Sequence, residues 1–117
     1  MTSIRGDEGL PITIGRGAKI GNQCTFHALK GQSIGIGDQL SAGDRVVFHG
    51  ALTIGANVTV GDNAVLFKST IGSNCSIGNK VLVIGVTLPE NSRIPDGALV
   101  LTQVEADKYS YQDPQSA

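Results

Sequence analysis

The chain has 117 residues, with nine Lys and Arg against ten Asp and Glu, a net charge of −1 and 16% charged residues. That length suits one domain around one core. The near-even charge gives no footprint for nucleic acid or an anionic membrane surface. No apolar run reaches the roughly 20 residues of a membrane span, and no signal-peptide pattern opens the sequence, so the expectation is a cytoplasmic protein. Gly is abundant at 16 residues, aromatics make up 4% and Trp is absent, which favours many short strands and tight corners over packed helices.

Along the chain the apolar residues step in sixes. Ile14, Ile20 and Phe26 come first; Ile36, Ala42, Phe48, Ile54, Val60 and Leu66 follow without a break; Ile71, Ile77 and Val83 are entered by a five-residue step. Four residues beyond these positions stands a second series of small or apolar residues: Ala18, Cys24, Leu40, Val46, Leu52, Val58, Ala64, Thr70, Cys75, Val81 and Thr87, with Lys30 the exception. A six-residue period is too long for a helix turn and is the spacing of hexapeptide parallel β-helices. Each hexad is then one short strand and a corner, three hexads make a coil of a triangular prism, and both series fill its inside. The expected fold is all-β, about four to five coils over residues 1–102, with a cap and short tail over 103–117. The two cysteines, far apart and in no C-x-x-C motif, take small inward slots and a packing role.

The position just after each inward residue separates one column from the rest. It reads Gly15, Gly21, His27; Gly37, Gly43, His49; Gly55, Gly61, Phe67; Gly72, Gly78, Ile84. Glycine suits a tight corner on two sides of the prism, whereas the third side carries His, His, Phe and Ile, pointing outward because their neighbours point in. The segment LKGQS (29–33) reads as a small outward loop, which puts His27 and His49 one coil apart with Cα atoms about 5 Å from each other. That separation is compatible with two imidazole nitrogens on one tetrahedral metal, as it is with two ordinary surface histidines. Phe67 and Ile84 on the same ridge require burial, and a threefold arrangement of copies would supply it.

Beyond the repeat, the stretches SIRGDEGLPITIG (3–15), FHALK (26–30), FKSTIGSNC (67–75), IGVTLP (84–89) and IPDGALVLTQVEADK (94–108) resemble the γ-class carbonic anhydrases of archaeal type and the similar domain of carboxysomal shell-organising proteins. The resemblance covers residues 3–108. It implies a left-handed parallel β-helix, a homotrimer, and interface metal sites in which three histidines hold Zn²⁺ or Fe²⁺, two from one subunit and one from its neighbour. His27 and His49 match the two ligands of one subunit. Arg5 and Asp7 match a pair that links subunits and orients groups near the site, and Glu8 matches a carboxylate close to the substrate pocket. As bare residues, Arg5 and Asp7 read equally as an interface ion pair, and Glu8 as a solvated residue of the turn GDEGLP.

The departures are as specific as the matches. The third histidine of the family falls on Asp44, in SAGDRVVFHG, where an Asp at a corner beside Arg45 is also ordinary turn chemistry. Asp44 lies on a different side of the prism from His49, so it reaches the site only across a subunit interface. The family's glutamine, asparagine and aspartate near the metal fall on Gly21, Lys19 and Asn22, and its acidic proton-shuttle position falls on Lys30. The resulting expectation is a trimeric metalloprotein acting on CO₂ and bicarbonate, with hydration weakened or lost. A non-catalytic trimeric scaffold and a hexapeptide acyltransferase using one histidine as base are the alternatives. Metal content with CO₂ hydration separates the first two, and stabilisation by acetyl-CoA marks the third.

Overall fold

The computed structural model describes residues 3–6 as backbone, and residues 12–28 and 32–110 with their side chains. Asp7, Glu8, Lys30 and the tail beyond residue 110 lie outside the described residues. In chain order the strands are β1 (Ser3–Gly6), β2 (Ile12–Ile14), β3 (Lys19–Ile20), β4 (Thr25–Ala28), β5 (Ile34–Ile36), β6 (Ser41–Ala42), β7 (Val47–His49) and β8 (Leu52–Ile54). They continue as β9 (Thr59–Val60), β10 (Val65–Phe67), β11 (Thr70–Ile71), β12 (Ser76–Ile77), β13 (Leu82–Ile84), β14 (Thr87–Leu88), β15 (Arg93–Ile94) and β16 (Leu99–Val100), before one helix, α1 (Gln103–Lys108). Every third strand pairs in parallel. The result is a six-stranded sheet β1-β4-β7-β10-β13-β16 and two five-stranded sheets, β14-β11-β8-β5-β2 and β15-β12-β9-β6-β3. This is a three-sided parallel β-helix of about five coils, 47 Å long and about half as wide, 26 × 24 Å.

The six-residue ruler is the register. Ile14, Ile36, Ile54, Ile71 and Leu88 stand opposite one another in the first five-stranded sheet, and Ile20, Ala42, Val60, Ile77 and Ile94 in the second. Phe26, Phe48, Leu66, Val83 and Val100 do the same in the six-stranded sheet. Identical or similar side chains stacked one strand spacing apart leave no gaps, so the prism interior is a continuous apolar column. At its centre the Phe26 and Phe48 rings lie 4.3 Å apart and 3° from parallel, both fully buried.

The second inward series holds from Ala18 to Ala64 and again at Cys75 and Val81, and needs correction at Thr70 and Thr87. Thr70 and Thr87 point outward and are exposed, and Ser69 and Val86 take the inward places, 5% and 4% exposed. The cause is the five-residue step. The corner after His49 runs through Gly50 and Ala51 to Leu52, whereas the corners after Phe67 and Ile84 have one residue fewer, Lys68 and Gly85, each in the left-handed region (φ 49° and 68°). Ser69 satisfies its buried hydroxyl by donating to Phe67 O at 2.9 Å and accepting from Val86 N–H at 3.2 Å. Both cysteines are buried, each Sγ 3.1 Å from a backbone oxygen, of Gly43 and of Pro89. Burial pushes the Cys75 thiol up, away from the reactive thiolate.

The glycine columns also have a different cause from corner strain. Left-handed φ falls instead two residues later, at Gln23, Arg45, Asn63 and Lys80 on one corner. The glycines are there because the next coil comes too close. A Cβ on Gly61 would sit 2.7 Å from Asn79 N, and one on Gly43 would collide with the Asp62 side chain. What crowds them is a ladder. Asn22 N–H donates to Asp44 Oδ1 (2.9 Å), Asp44 N–H to Asp62 Oδ1 (2.8 Å), Asp62 N–H to Asn79 Oδ1 (2.7 Å) and Asn79 N–H to Asp96 Oδ1 (2.8 Å). The top of the prism is closed by α1. Thr102 caps it by accepting from Glu105 N–H, Ala106 is buried against the last coil, and the Gln103 amide accepts from Thr87 N–H and donates to Thr87 O, satisfying β14 where a further strand would pair. No helix among the described residues is long and apolar enough to cross a membrane.

Candidate metal centre

The histidine ridge follows directly from the register. β4 and β7 pair with His27 opposite His49, β10 places Phe67 opposite His49, and β13 places Ile84 opposite Phe67. Since Phe26, Phe48 and Leu66 point in, their successors point out. The His27 and His49 ring centroids are 5.0 Å apart, with the planes at 83°. His49 lies nearly flat on Phe67, centroids 4.7 Å apart and planes 10° from parallel. Lys68 Nζ stands 5.4 Å above the Phe67 centroid. Arg5 occupies the rung before His27 by backbone pairing.

The face carrying this ridge differs from the other two. Beside the ridge run Thr25, Val47, Val65 and Leu82, half-buried, and Leu99, 59% exposed, with Ile84 (37%) and Leu101 (48%) continuing the ridge. The corresponding outward residues of the other sheets are Thr13, Gly35, Thr53, Thr70 and Thr87 on one, and Lys19, Ser41, Thr59, Ser76 and Arg93 on the other. Among the described residues, one side of the prism is therefore mostly apolar, and it is the side with both histidines.

His49 Nδ1 is buried and has no hydrogen-bond partner among the described residues. Burial first, then the nearby His27 and Lys68, hold the His49 pKa below its ordinary 6.5. The imidazole is thus kept neutral, the form a metal requires. The sign for stability follows: around pH 6.5 the unfolded chain takes up a proton that folded His49 does not. For the metal-free protein, stability is expected to fall as pH drops below 6.5, levelling off below the depressed folded value. Thermal denaturation from pH 8 to pH 5 should show this fall, reduced in His49→Gln; equal slopes would contradict it.

Two imidazoles on adjacent rungs, their ring centroids 5.0 Å apart, fit a divalent cation that takes nitrogen donors. They do not complete a site. Among the described residues no group of three or more His, Cys, Asp or Glu side chains is placed to hold a metal. Asp44 stands at the other end of β7, about 13–16 Å from His49 by strand rise, with Oδ1 committed to Asn22 N–H. The sequence pointed to the histidines but missed Asp44's place in the ladder. Its signal was available as GN, GD, GD, GN and PD at 21–22, 43–44, 61–62, 78–79 and 95–96.

No family model matches the sequence. Among curated proteins the chain is 33% identical to a carbonic anhydrase of Methanosarcina thermophila, over 92% of this chain and 51% of that protein. It is 29% identical to the carboxysome assembly protein CcmM of Nostoc sp., over 97% of this chain and 22% of that protein. The chain thus spans about half the length of the first relative and about a fifth of the second. The hexapeptide register, the stacked histidines and these two similarities together make the chain a γ-carbonic-anhydrase-like hexapeptide-repeat protein.

Proposed function

We propose that the chain forms a homotrimeric metalloprotein that hydrates CO₂ reversibly and slowly, with His27 and His49 of one subunit and Asp44 of a neighbour holding Zn²⁺ or Fe²⁺. The observation that carries the reading is the pair of imidazoles on adjacent rungs, 5.0 Å apart, on the most apolar face of the prism among the described residues. The similarity to a carbonic anhydrase supports the substrate. An exposed apolar face this long favours burial against a second copy, and a second copy is what a two-imidazole site needs for its third donor.

In this reading each residue has a separate task. The cation, when bound, supplies the Lewis acidity that makes water nucleophilic near neutral pH. His27 and His49 bind it as neutral donors and leave its charge intact, whereas the Asp44 carboxylate offsets part of that charge and so slows the reaction. Phe67, Ile84 and Leu101 exclude water from the ridge and suit an apolar gas. Arg5 and Asp7 pair subunits and orient the neighbouring groups, and Glu8 faces the substrate. With Lys30 at the shuttle position, proton release falls to buffer. The test is CO₂ hydration by untagged protein before and after removal of metal by a chelator. Activity lost with the metal and restored by Zn²⁺ or Fe²⁺ is expected, and activity indifferent to metal would overturn the reading.

A further inference from the structure

We propose that Phe67 is a positioning residue for the His49 imidazole, holding by stacking the ring orientation that metal-ligating histidines usually owe to a hydrogen bond. The inference rests on the metal reading above for its purpose, and on geometry alone for its mechanism. A ligating histidine ordinarily donates its second ring N–H to a carbonyl or carboxylate, which fixes the ring about its side-chain torsion. His49 has no such bond at Nδ1, which is buried without a partner among the described residues. Its ring is instead held between two neighbours on the ridge. Phe67 covers one face at 4.7 Å and 10°, and His27 meets it from the preceding rung at 83°. Turning the His49 ring would require lifting it off Phe67 or pushing into His27.

Phe67 is itself fixed. It ends β10, the shortened corner begins at the next residue, and Lys68 N–H donates to His49 O at 3.2 Å, tying that corner to the rung it serves. The Lys68 ammonium lies over the same ring, where cation and aromatic face attract. Ile84 on the next rung backs the ridge.

The experiment compares Phe67→Leu, which keeps an apolar side chain but no aromatic face, with Phe67→Tyr, which keeps the face. In metal-free protein, the His49 ring-proton resonances are expected upfield in the parent and in Phe67→Tyr, with through-space cross-peaks to residue 67. In Phe67→Leu they move downfield. Co²⁺ affinity, read from its visible absorption, falls on the order of tenfold in Phe67→Leu and recovers in Phe67→Tyr, with unchanged thermal midpoints. His49 resonances that stay in place in Phe67→Leu, or absent cross-peaks in the parent, overturn the proposal, as does undiminished Co²⁺ affinity. A parent protein that takes up no Co²⁺ overturns the metal reading instead, and the ring resonances alone then decide whether Phe67 positions His49. Should Phe67→Leu fail to fold, the parent's cross-peaks and shifts still decide it.

Discussion

Phe48→Ala is expected to cost about 3–5 kcal/mol, the range for emptying a buried aromatic site, against a total stability on the order of 5–15 kcal/mol. Phe48 has no exposed surface and stacks face to face with Phe26 at 4.3 Å. Above it stand Leu66 and beyond that Val83, in the same column. A parallel β-helix relaxes poorly around a void, because each strand is hydrogen-bonded on both edges to coils with the same spacing. Each coil also draws its stability from its neighbours, so the loss falls on the middle of the stack where both halves meet. A thermal midpoint lower by about 10–20 °C is the expected reading. A drop of under about 3 °C would mean that the two rings do not form the centre of the core.

Asp44→His is expected to act in two opposite directions. The side chain that accepts Asn22 N–H disappears, which costs about 1 kcal/mol. On the proposed reading the metal site would gain a third imidazole in place of a carboxylate, which would leave the cation's charge undiminished. Metal affinity and CO₂ hydration should therefore rise by about tenfold or more, on the scale of substitutions around metal ligands, while the thermal midpoint of the metal-free protein falls by a few degrees. Asp44→Asn separates the two roles. It keeps Oδ1 for Asn22 N–H and hence the midpoint, but removes the charged donor and weakens metal binding. If both variants bind metal as the parent does, Asp44 serves the corner ladder alone.

The repeat was legible because a parallel β-helix writes its register into the spacing itself. Ile36, Ile54 and Ile71 are neighbours in space because their separations are whole coils, and His27 and His49 follow from the same count. The count failed at Thr70 and Thr87 for the same reason. A corner shortened by one residue shifts the next inward slot to Ser69 and Val86, and only the strand after it shows which way the shift went. The glycine columns fit a corner device in the sequence, but their cause is the close approach of the next coil's backbone and side chains, which no local window contains. Asp44 was legible as a departure from the family pattern, yet its bond to Asn22 N–H depends on stacking across a full turn. A third donor beside the two imidazoles is not found among the described residues, and no count of hexads could supply one.

The most direct test loads untagged protein with Zn²⁺, removes the excess, and measures metal per chain together with particle mass by light scattering. Three chains per particle, one metal ion per chain, and loss of that metal in both His27→Ala and His49→Ala without loss of the trimer are the predicted results. A monomer, or a trimer whose metal content is indifferent to either histidine, would contradict the claim that this ridge of the β-helix is half of a metal site.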